Sequence, residues 1–420
     1  MIGNSTGRLD PVSSEERPEH ADTASVGSGH DPARHLGSLK PPIYETSTFV
    51  FATAEEGKRF FEVVYALDDA REGEEVGYIY SRLDSPNMRP AETRLARWEE
   101  AEDAAIFNSG MAAITTVLLT FLRPGDLVLY GSPLYGGTAT LMTGLLPDFG
   151  VVTRSFGPKT TLEELEALTG EDKLAMVYVE TPANPTNDIF DIELASRLAR
   201  SHGARLVVDN TFLSPVWQKP LLHGADISLH SATKYLGGHS DLTAGAVTGS
   251  KEDIAEIRHT RYRIGSTASP STGWLLARSL ETLRLRVERQ TENATRIAAF
   301  LAGHERVARV NHLSLLEPGD HRHDIHKRQS LGPGAMVSFD VIGGEPEAFR
   351  FLDALEVVKL TVSLGGTESL ASHPWSMSHS TMADDEKLAI GITPGQIRFS
   401  VGIEDVGDLI ADLDRALATI

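Results

Sequence analysis

Short apolar runs alternate with helical stretches through the middle of the chain. Each run is bounded by Gly, Pro, Asp or Asn and predicts a buried strand. The runs are Leu127 to Tyr130, Leu174 to Glu180, Arg205 to Val208 and Ile227 to His230. Helical spacing at Leu162 to Leu168 and Ile192 to His202 separates several of them. Alternating strands and helices indicate a parallel sheet with crossover helices, and Ala244 to Thr248 is a candidate antiparallel strand at its edge.

The segments on either side complete a two-domain prediction. Before the sheet, Arg89 to Glu100 predicts a helix and Ala104 to Phe107 a short buried strand. After it, leucines and alanines at helical spacing predict one long helix over Thr272 to Ala302. The rest predicts a smaller α+β domain from strands near Ala335 to Val341 and Gln396 to Val401 and helices near Glu345 to Leu355 and Asp405 to Leu417.

The first part of the chain has a different composition. Residues 1–36 are rich in Gly, Ser, Pro, Asp and Glu and predict a disordered leader. We place an N-terminal arm at 37–88, a large domain at 89–268 and a small domain at 269–420. The length of 420 residues fits this division, because single hydrophobic cores stop growing at about 250–300 residues.

Charge and composition exclude several classes of protein. A net charge of −20 opposes binding to a phosphate backbone, so we expect no nucleic-acid partner. With no cysteine there is no disulfide, thiolate metal site or cysteine nucleophile. The longest apolar stretch, Ile114 to Leu122, is too short to span a membrane, and the N-terminus lacks a signal-peptide core. We expect a cytoplasmic protein without a membrane partner.

A lysine and an aspartate end two predicted neighbouring strands. Lys234 follows two hydroxyl residues in Ser231-Ala232-Thr233-Lys234, and Asp209 follows Val207-Val208. Pyridoxal phosphate needs a lysine for its aldehyde, a carboxylate for its ring nitrogen and hydroxyls for its phosphate. The sequence therefore predicts pyridoxal 5'-phosphate as cofactor, with Lys234 as the catalytic proton shuttle and Asp209 as the partner of the ring.

Phosphate ligands are predicted at a strand-to-helix turn. In Asn108-Ser109-Gly110-Met111, the backbone N–H groups of Gly110 and Met111 would open a helix, where anions bind. Ser231 and Thr233 would add hydroxyl donors. Taken alone, Ser109 is better interpreted as a plain helix N-cap.

Tyr135 and Arg398 are candidates for contact with the substrate. Tyr135 lies in Pro133-Leu134-Tyr135-Gly136-Gly137, where the glycines let a flat ring approach the backbone, and it could stack on the cofactor and protonate a leaving group. Arg398 interrupts an apolar strand and suits an α-carboxylate, unless it pairs with an internal acidic residue.

We expect no metal site. The histidines at 321, 323 and 326 fit no standard ligand spacing and are predicted to lie in a loop. The chain also lacks a Walker P-loop and a G-x-G-x-x-G fingerprint, which disfavours nucleotide binding.

From about Pro41 to its end, the chain resembles the Cys/Met-metabolism pyridoxal-phosphate enzymes, which include cystathionine γ-synthase, cystathionine γ-lyase, methionine γ-lyase and O-acetylhomoserine sulfhydrylase. The motifs that carry the resemblance are Pro42-Ile43-Tyr44-Glu45-Thr46-Ser47-Thr48-Phe49, Tyr80-Ser81-Arg82, Ser109-Gly110-Met111, Tyr135-Gly136-Gly137-Thr138, Glu180-Thr181-Pro182-Ala183-Asn184-Pro185, Asp209-Asn210-Thr211, Ser231-Ala232-Thr233-Lys234-Tyr235, Ser363-Leu364-Gly365-Gly366 and Arg398-Phe399-Ser400-Val401-Gly402.

The resemblance implies the aspartate-aminotransferase-like fold (fold type I) and a homotetramer of two active dimers. It implies that Tyr80 and Arg82 bind the cofactor phosphate of the neighbouring subunit and that Asn184 lies near the cofactor ring. It also places Ser363, Glu368 and Arg398 at the site of an amino-acid substrate.

The chain departs from the family pattern at three places. Ser85 replaces the usual asparagine of Y-x-R-x-x-N-P, and an extra segment lies at roughly 58–77. Gly137 stands where methionine γ-lyases typically carry cysteine. Gly137 makes a methionine-specific lyase less fitting, and Glu368-Ser369-Leu370 after Gly365-Gly366 resembles the cystathionine γ-synthase and γ-lyase branch. Within this branch we expect a cystathionine γ-synthase-like γ-replacement on a homoserine-derived or sulfur amino acid. The alternatives are γ-elimination to 2-oxobutyrate by a cystathionine or methionine γ-lyase, O-acetylhomoserine sulfhydrylase activity and, more distantly, a non-catalytic binding protein.

Overall fold

The computed structural model describes residues 20–64, 67–68, 71 and 77–420. Its strands are β1 (Asp103–Phe107), β2 (Leu127–Gly131), β3 (Val152–Phe156), β4 (Leu174–Glu180), β5 (Arg205–Asp209), β6 (Ile227–His230), β7 (Gly245–Gly249), β8 (Val307–Asn311), β9 (Met336–Val341), β10 (Lys359–Leu360), β11 (Leu370–Ser372) and β12 (Gln396–Ser400).

The helices lie between and around these strands. The α-helices are Ala21–Gly27, Ala54–Val64, Met88–Glu99, Gly110–Phe121, Gly136–Thr140, Leu146–Asp148, Leu162–Thr169, Ile192–Ser201, Ser214–Trp217, Lys251–Ile264, Pro270–Leu280, Leu283–Ala302, His321–Gln329, Glu345–Asp353, Asp384–Ala389 and Val406–Leu417. Short 3₁₀ segments occur at Pro32–His35, Pro220–His223 and Leu313–Leu315, and a π-helical segment at Leu141–Leu145.

A seven-stranded sheet in the order β1-β7-β6-β5-β4-β2-β3 forms the large domain. β2, β4, β5 and β6 pair in parallel, as predicted, and β3, which the sequence pattern did not predict, adds a further parallel strand beside β2. β7 pairs antiparallel with both β1 and β6. The predicted position of β7 at the sheet edge is therefore wrong, because β1 lies outside it. Both faces of the sheet are covered: Leu206 and Val208 of β5 pack into one hydrophobic cluster and Val207 into another.

The second sheet has five strands in the order β10-β11-β12-β9-β8. β12 pairs antiparallel with β9 and β11, which places Arg398 at the centre of this sheet. The helices around it pack into a hydrophobic cluster that also contains residues of Pro270–Leu280 and Leu283–Ala302. The mixed arrangement of sheets and helices confirms the predicted fold class.

Three local predictions differ from the structure. The single long helix predicted over Thr272 to Ala302 is wrong, because the structure has two helices. The first ends at Leu280 and the second begins at Leu283. Residues 321–329 form a helix rather than a loop, because the Asp320 side chain accepts a hydrogen bond from the backbone N–H of Arg322 and caps it. Of the predicted disordered leader, residues 1–19 lie outside the described residues.

Residues 20–36 of that leader are ordered, contrary to the prediction. The helix Ala21–Gly27 buries Ala24, and Asp22 forms an ion pair of 2.8 Å with Arg284. Arg94 also donates a hydrogen bond of 3.1 Å to the carbonyl of Ser28. Contacts made by residues remote in sequence supply the stability that the local composition lacks. Among the described residues, no helix is long and apolar enough to cross a membrane.

Candidate active site

A cavity of about 510 Å³ opens at the carboxyl ends of β4, β5 and β6. Ligands in open α/β sheets bind at this edge, because the loops that follow parallel strands converge there. Most of the predicted site residues line this cavity. They are Ser109, Gly110, Met111, Tyr135, Asn184, Asp209, Ser231, Thr233, Lys234, Ser363 and Arg398.

Lys234 follows β6 in a tight turn and projects its amine into the cavity. Its Nζ donates a hydrogen bond of 2.8 Å to the Ser363 hydroxyl. Burial, assisted by the positive charge of Arg398, lowers the pKa of Lys234 from 10.5 to about 8. An amine with this pKa is partly neutral near physiological pH, so it can act as a nucleophile and as a base.

Asp209 ends β5 beside Glu180, its register partner on β4. One carboxylate oxygen accepts hydrogen bonds from the hydroxyl and backbone N–H of Thr211, at 2.5 and 3.0 Å. Burial raises the pKa of Asp209, and these hydrogen bonds act in the opposite direction. A buried carboxylate needs a cationic partner, which a protonated pyridine nitrogen supplies.

The strand-to-helix turn predicted at 109–111 is present, and anion binding there stays a prediction. Ser109 caps the helix Gly110–Phe121 by accepting a 3.0 Å hydrogen bond from the backbone N–H of Ala112. The first backbone N–H groups of the helix, at Gly110 and Met111, lack intrahelical acceptors. Ser231 packs against this turn so closely that a Cβ at position 110 would lie 2.9 Å from its Oγ. The Ser231 hydroxyl therefore lies beside the helix N-terminus.

Thr233 has a different local role. Its hydroxyl donates to the carbonyl of Ala244 at 3.1 Å and accepts from the backbone N–H of Ala244 at 3.0 Å. Because a hydroxyl has only one proton to donate, Thr233 must exchange its bond to Ala244 before it can donate to a phosphate.

Arg398 is a buried cation that lines the cavity from β12 of the five-stranded sheet. Its Nη1 donates to Asn184 Oδ1 at 3.2 Å and its Nη2 to the carbonyl of Ser363 at 2.9 Å. Its Nε is buried and has no hydrogen-bond partner among the described residues. Burial lowers the pKa of Arg398 to about 10. Among the described residues, no acidic side chain forms an ion pair with Arg398, so the internal salt bridge considered from the sequence does not form. The carboxylate of a ligand would pair with the guanidinium.

Two cavity residues were not singled out from the sequence. Glu180 ends β4, and its carboxylate accepts 2.8 Å hydrogen bonds from the backbone N–H groups of Tyr135 and Asn184. Burial, and then the negative charge of Asp209, raise the pKa of Glu180 to about 8. The hydroxyl of Thr211 donates to Asp209 and accepts the backbone N–H of Ser231 at 2.9 Å. Both residues lie within motifs quoted above, but only the folded loops show their partners.

Three predicted residues do not line the cavity in this chain. Tyr80 is 42% exposed, and Arg82 donates a hydrogen bond of 2.6 Å to the carbonyl of Tyr262. Glu368 accepts hydrogen bonds from Ser240 and Thr367 outside the cavity. Their contacts with cofactor or substrate stay predictions.

The donor set fits pyridoxal phosphate. A lysine amine, a buried carboxylate and a helix N-terminus with an adjacent hydroxyl face one cavity, as the aldehyde, the ring nitrogen and the phosphate of this cofactor require. The guanidinium of Arg398, which lines the cavity, offers a cationic group to a second, carboxylate-bearing ligand. Within the described part of the chain, no three His, Asp or Glu side chains are grouped as metal ligands would be.

Comparison with known proteins agrees with this fit. The profile of the Cys/Met metabolism PLP-dependent enzymes matches residues 22–418. The L-methionine gamma-lyase of Pseudomonas putida is 40% identical over 399 residues, which are 94% of this chain and 96% of that protein. The cystathionine gamma-lyase of Bacillus subtilis is 40% identical over 402 residues, 95% of this chain and 99% of its own.

A solved structure extends the likeness to three dimensions. The cystathionine gamma synthase from Xanthomonas oryzae pv. oryzae, in complex with aminoacrylate and cysteine, superposes with a TM-score of 0.86 at 36% identity. The match covers 96% of this chain and 99% of that one.

Proposed function

The chain belongs to the Cys/Met metabolism PLP-dependent enzymes, and we propose that it eliminates the γ-substituent of a sulfur amino acid such as cystathionine or methionine. It is a pyridoxal-phosphate-dependent enzyme of trans-sulfuration chemistry. The sequence motifs alone favour γ-replacement, with elimination as an alternative. Two relatives that are 40% identical over nearly the whole chain are named as γ-lyases, which supports elimination.

The main support for an amino-acid substrate is that Lys234 and Arg398 both form hydrogen bonds with Ser363. Lys234 donates to the Ser363 hydroxyl at 2.8 Å, and Arg398 donates to the Ser363 carbonyl at 2.9 Å. A substrate whose α-carboxylate binds Arg398 therefore presents its Cα next to the Lys234 amine. This is the geometry that α-proton removal requires.

When bound, pyridoxal phosphate supplies the electron sink that lets protons leave Cα and then Cβ of the substrate. Lys234 accepts and returns these protons, because its lowered pKa gives both the neutral and the protonated amine near neutral pH. Asp209 would stabilise the positive charge of the ring nitrogen. Tyr135 lines the same cavity and donates a proton to the departing γ-thiolate. The other proton is returned to Cγ, and hydrolysis of the enamine that is then released gives 2-oxobutyrate and ammonia.

The N-terminal arm supports assembly with a second copy of the chain. Several apolar side chains in this arm are exposed, including Leu39 at 82% and Val50 at 92%. Exposed apolar side chains concentrated in one segment indicate a protein interface. We place this arm against a neighbouring subunit in a homotetramer, where Tyr80 and Arg82 would reach the cofactor phosphate of that subunit. Size-exclusion chromatography with light scattering tests the assembly.

A product assay tests the activity. Purified enzyme receives cystathionine or methionine alone, and O-succinylhomoserine with and without cysteine, and products are identified by mass spectrometry. Elimination predicts 2-oxobutyrate from cystathionine or methionine. Formation of cystathionine only when O-succinylhomoserine and cysteine are both present, with no 2-oxobutyrate, would instead establish γ-replacement.

A further inference from the structure

Glu180 connects two separate loops of the cavity through a single carboxylate. Its Oε2 accepts the backbone N–H of Tyr135 and its Oε1 accepts the backbone N–H of Asn184, each at 2.8 Å. Tyr135 opens the helix Gly136–Thr140 after β2, whereas Asn184 lies in the loop after β4. Glu180 is itself 4% exposed at the end of β4, so the sheet holds its backbone in place.

The chemistry of the carboxyl group explains why an acidic residue occupies this buried position. Its two oxygens each accept one N–H, and these hydrogen bonds favour the ionised form, whereas burial and Asp209 raise its pKa. An isosteric glutamine would accept one N–H and turn its own amide protons toward the other. Burying a carboxylate is costly, and the neighbouring Asp209 increases that cost. The arrangement is therefore suited to holding both N–H groups at once rather than to filling space.

The contacts continue beyond the two N–H groups to the groups that contact substrate. Asn184 Oδ1 accepts the 3.2 Å hydrogen bond from Arg398 Nη1, so the loop that Glu180 holds also orients the carboxylate-binding guanidinium. On the other side, the backbone of Tyr135 carries the phenol that faces the cavity. We propose that Glu180 is a positioning residue. It fixes the relative positions of the leaving-group acid Tyr135 and of the Asn184–Arg398 pair around the substrate. This inference rests on the proposed function, which gives Tyr135 and Arg398 their roles.

Hydrogen exchange of the holoenzyme tests the anchoring without any substrate. In Glu180→Gln, backbone amide exchange should become at least about 10-fold faster in a peptide that contains Tyr135 or Asn184, because glutamine has a single acceptor oxygen and cannot accept both N–H groups. Asp126→Asn is the matched control: Asp126 is also buried and accepts the backbone N–H of Arg123 at 2.8 Å, but it lies at the amino end of β2, away from the carboxyl ends of the strands where the cavity opens. Unchanged exchange at both cavity loops in Glu180→Gln would overturn the proposal.

Ligand binding tests whether the anchoring matters to the site. Norleucine carries a methylene where methionine has sulfur, so it can bind but has no γ-leaving group. Its Kd, followed by the change in cofactor absorption, should rise on the order of 10-fold in Glu180→Gln and stay unchanged in Asp126→Asn. If Glu180→Gln does not fold, Glu180→Asp, whose shorter carboxylate spans the two N–H groups poorly, replaces it in both measurements. A wild-type Kd in a variant that retains its cofactor would contradict the proposal.

Kinetics separate a positioning role from general destabilisation. Glu180→Gln should lower kcat about 10-fold in the wild-type background and less than about 3-fold in the Tyr135→Phe background, where no phenol remains to be positioned. Equal losses of kcat in both backgrounds would exclude action through Tyr135. If the wild-type enzyme eliminated no γ-substituent, the proposed function would fail, while the exchange and norleucine measurements would still decide the role of Glu180.

Discussion

The amine of Lys234 donates a 2.8 Å hydrogen bond to the hydroxyl of Ser363. Lys234 follows β6 of the seven-stranded sheet, and Ser363 lies between β10 and β11 of the five-stranded sheet, so the bond joins the two parts of the molecule across the cavity. Ser363 also has a φ of +90°, a left-handed backbone that is unfavourable for a residue with a Cβ. Such backbone strain is found mostly at functional sites, where the surrounding structure maintains it.

Two substitutions at Ser363 separate its hydroxyl from its backbone. Ser363→Ala and Ser363→Gly should each lower kcat/KM about 10-fold, since both lose the bond to Lys234, which is worth about 1.5 kcal/mol for a charged partner. The glycine variant should unfold at a higher temperature than the alanine variant, because glycine adopts a positive φ without strain. Steady-state kinetics and thermal unfolding measure the two effects. Full activity in Ser363→Ala would remove the bond from the mechanism.

Lys234→Ala should abolish both turnover and covalent attachment of the cofactor. Since the amine at this position is the group that faces the cavity, the variant should lose the visible absorption of lysine-linked pyridoxal phosphate. It should also carry no cofactor after borohydride treatment, as judged by intact mass. Lys251→Ala, which changes an exposed lysine at the start of the helix Lys251–Ile264, is the control and should keep the adduct. A fully active Lys234→Ala would defeat the assignment.

The lowered pKa of Lys234 predicts the pH dependence of cofactor uptake by the apoenzyme. Only the neutral amine attacks the aldehyde, so the rate should rise with pH through a midpoint near 8 rather than near 10.5. Arg398→Met should move this midpoint upward, because the loss of a nearby positive charge favours the protonated amine, although burial keeps it below 10.5. Stopped-flow absorbance at a series of pH values gives both midpoints. A downward shift in the variant would contradict this reasoning.

Thr211→Val should weaken cofactor binding without changing the volume of the side chain. The valine removes the hydroxyl that donates to Asp209 at 2.5 Å and accepts the N–H of Ser231 at 2.9 Å. Losing both bonds should raise the Kd for pyridoxal phosphate on the order of 10- to 100-fold. Titration of apoenzyme measures this change, and Thr211→Ser, which keeps the hydroxyl, should restore most of the affinity. Equal affinities for all three proteins would show that the hydroxyl is dispensable.

Gly137→Ala should displace Tyr135. A Cβ at position 137 would lie 2.7 Å from the ring of Tyr135 and 2.9 Å from the sulfur of Met111, so the ring must move. We expect kcat to fall on the order of 10-fold while the cofactor content is retained, because a small displacement of a reacting group has a large effect on rate. Gly144→Ala is the control, since a Cβ there meets no atom within 4 Å. Equal kcat values in the two variants would count against a role for Tyr135.

Much of the site could be predicted because strand ends are visible in the sequence. Asp209 and Lys234 follow apolar runs, and the carboxyl ends of neighbouring parallel strands meet at one edge of a sheet. The predicted strands β2, β4, β5 and β6 are confirmed for the same reason, since buried parallel strands are short and continuously apolar. The cap at Ser109 is also a local feature and is confirmed.

Other features depend on contacts between residues remote in sequence. The interruption of the helix between Leu280 and Leu283 contains neither Gly nor Pro, so the local sequence does not predict it. The insertion of β7 between β1 and β6 depends on which strands pair. The role of Glu180 depends on the two loops whose backbone N–H groups it accepts. In the sequence, Glu180 is only the last residue of a predicted strand.

The sequence by itself determined the cofactor and the class of fold, and it predicts Lys234 as the lysine that binds the cofactor, because these follow from local residue types and from periodicity over short segments. Tertiary structure alone decided which groups lie within hydrogen-bond distance. It brought Ser363 to Lys234, Asn184 to Arg398 and Thr211 to both Asp209 and Ser231. The physical reason is that hydrogen bonds act over about 3 Å, whereas the residues that form them here belong to different strands and loops, whose positions only the packed core defines.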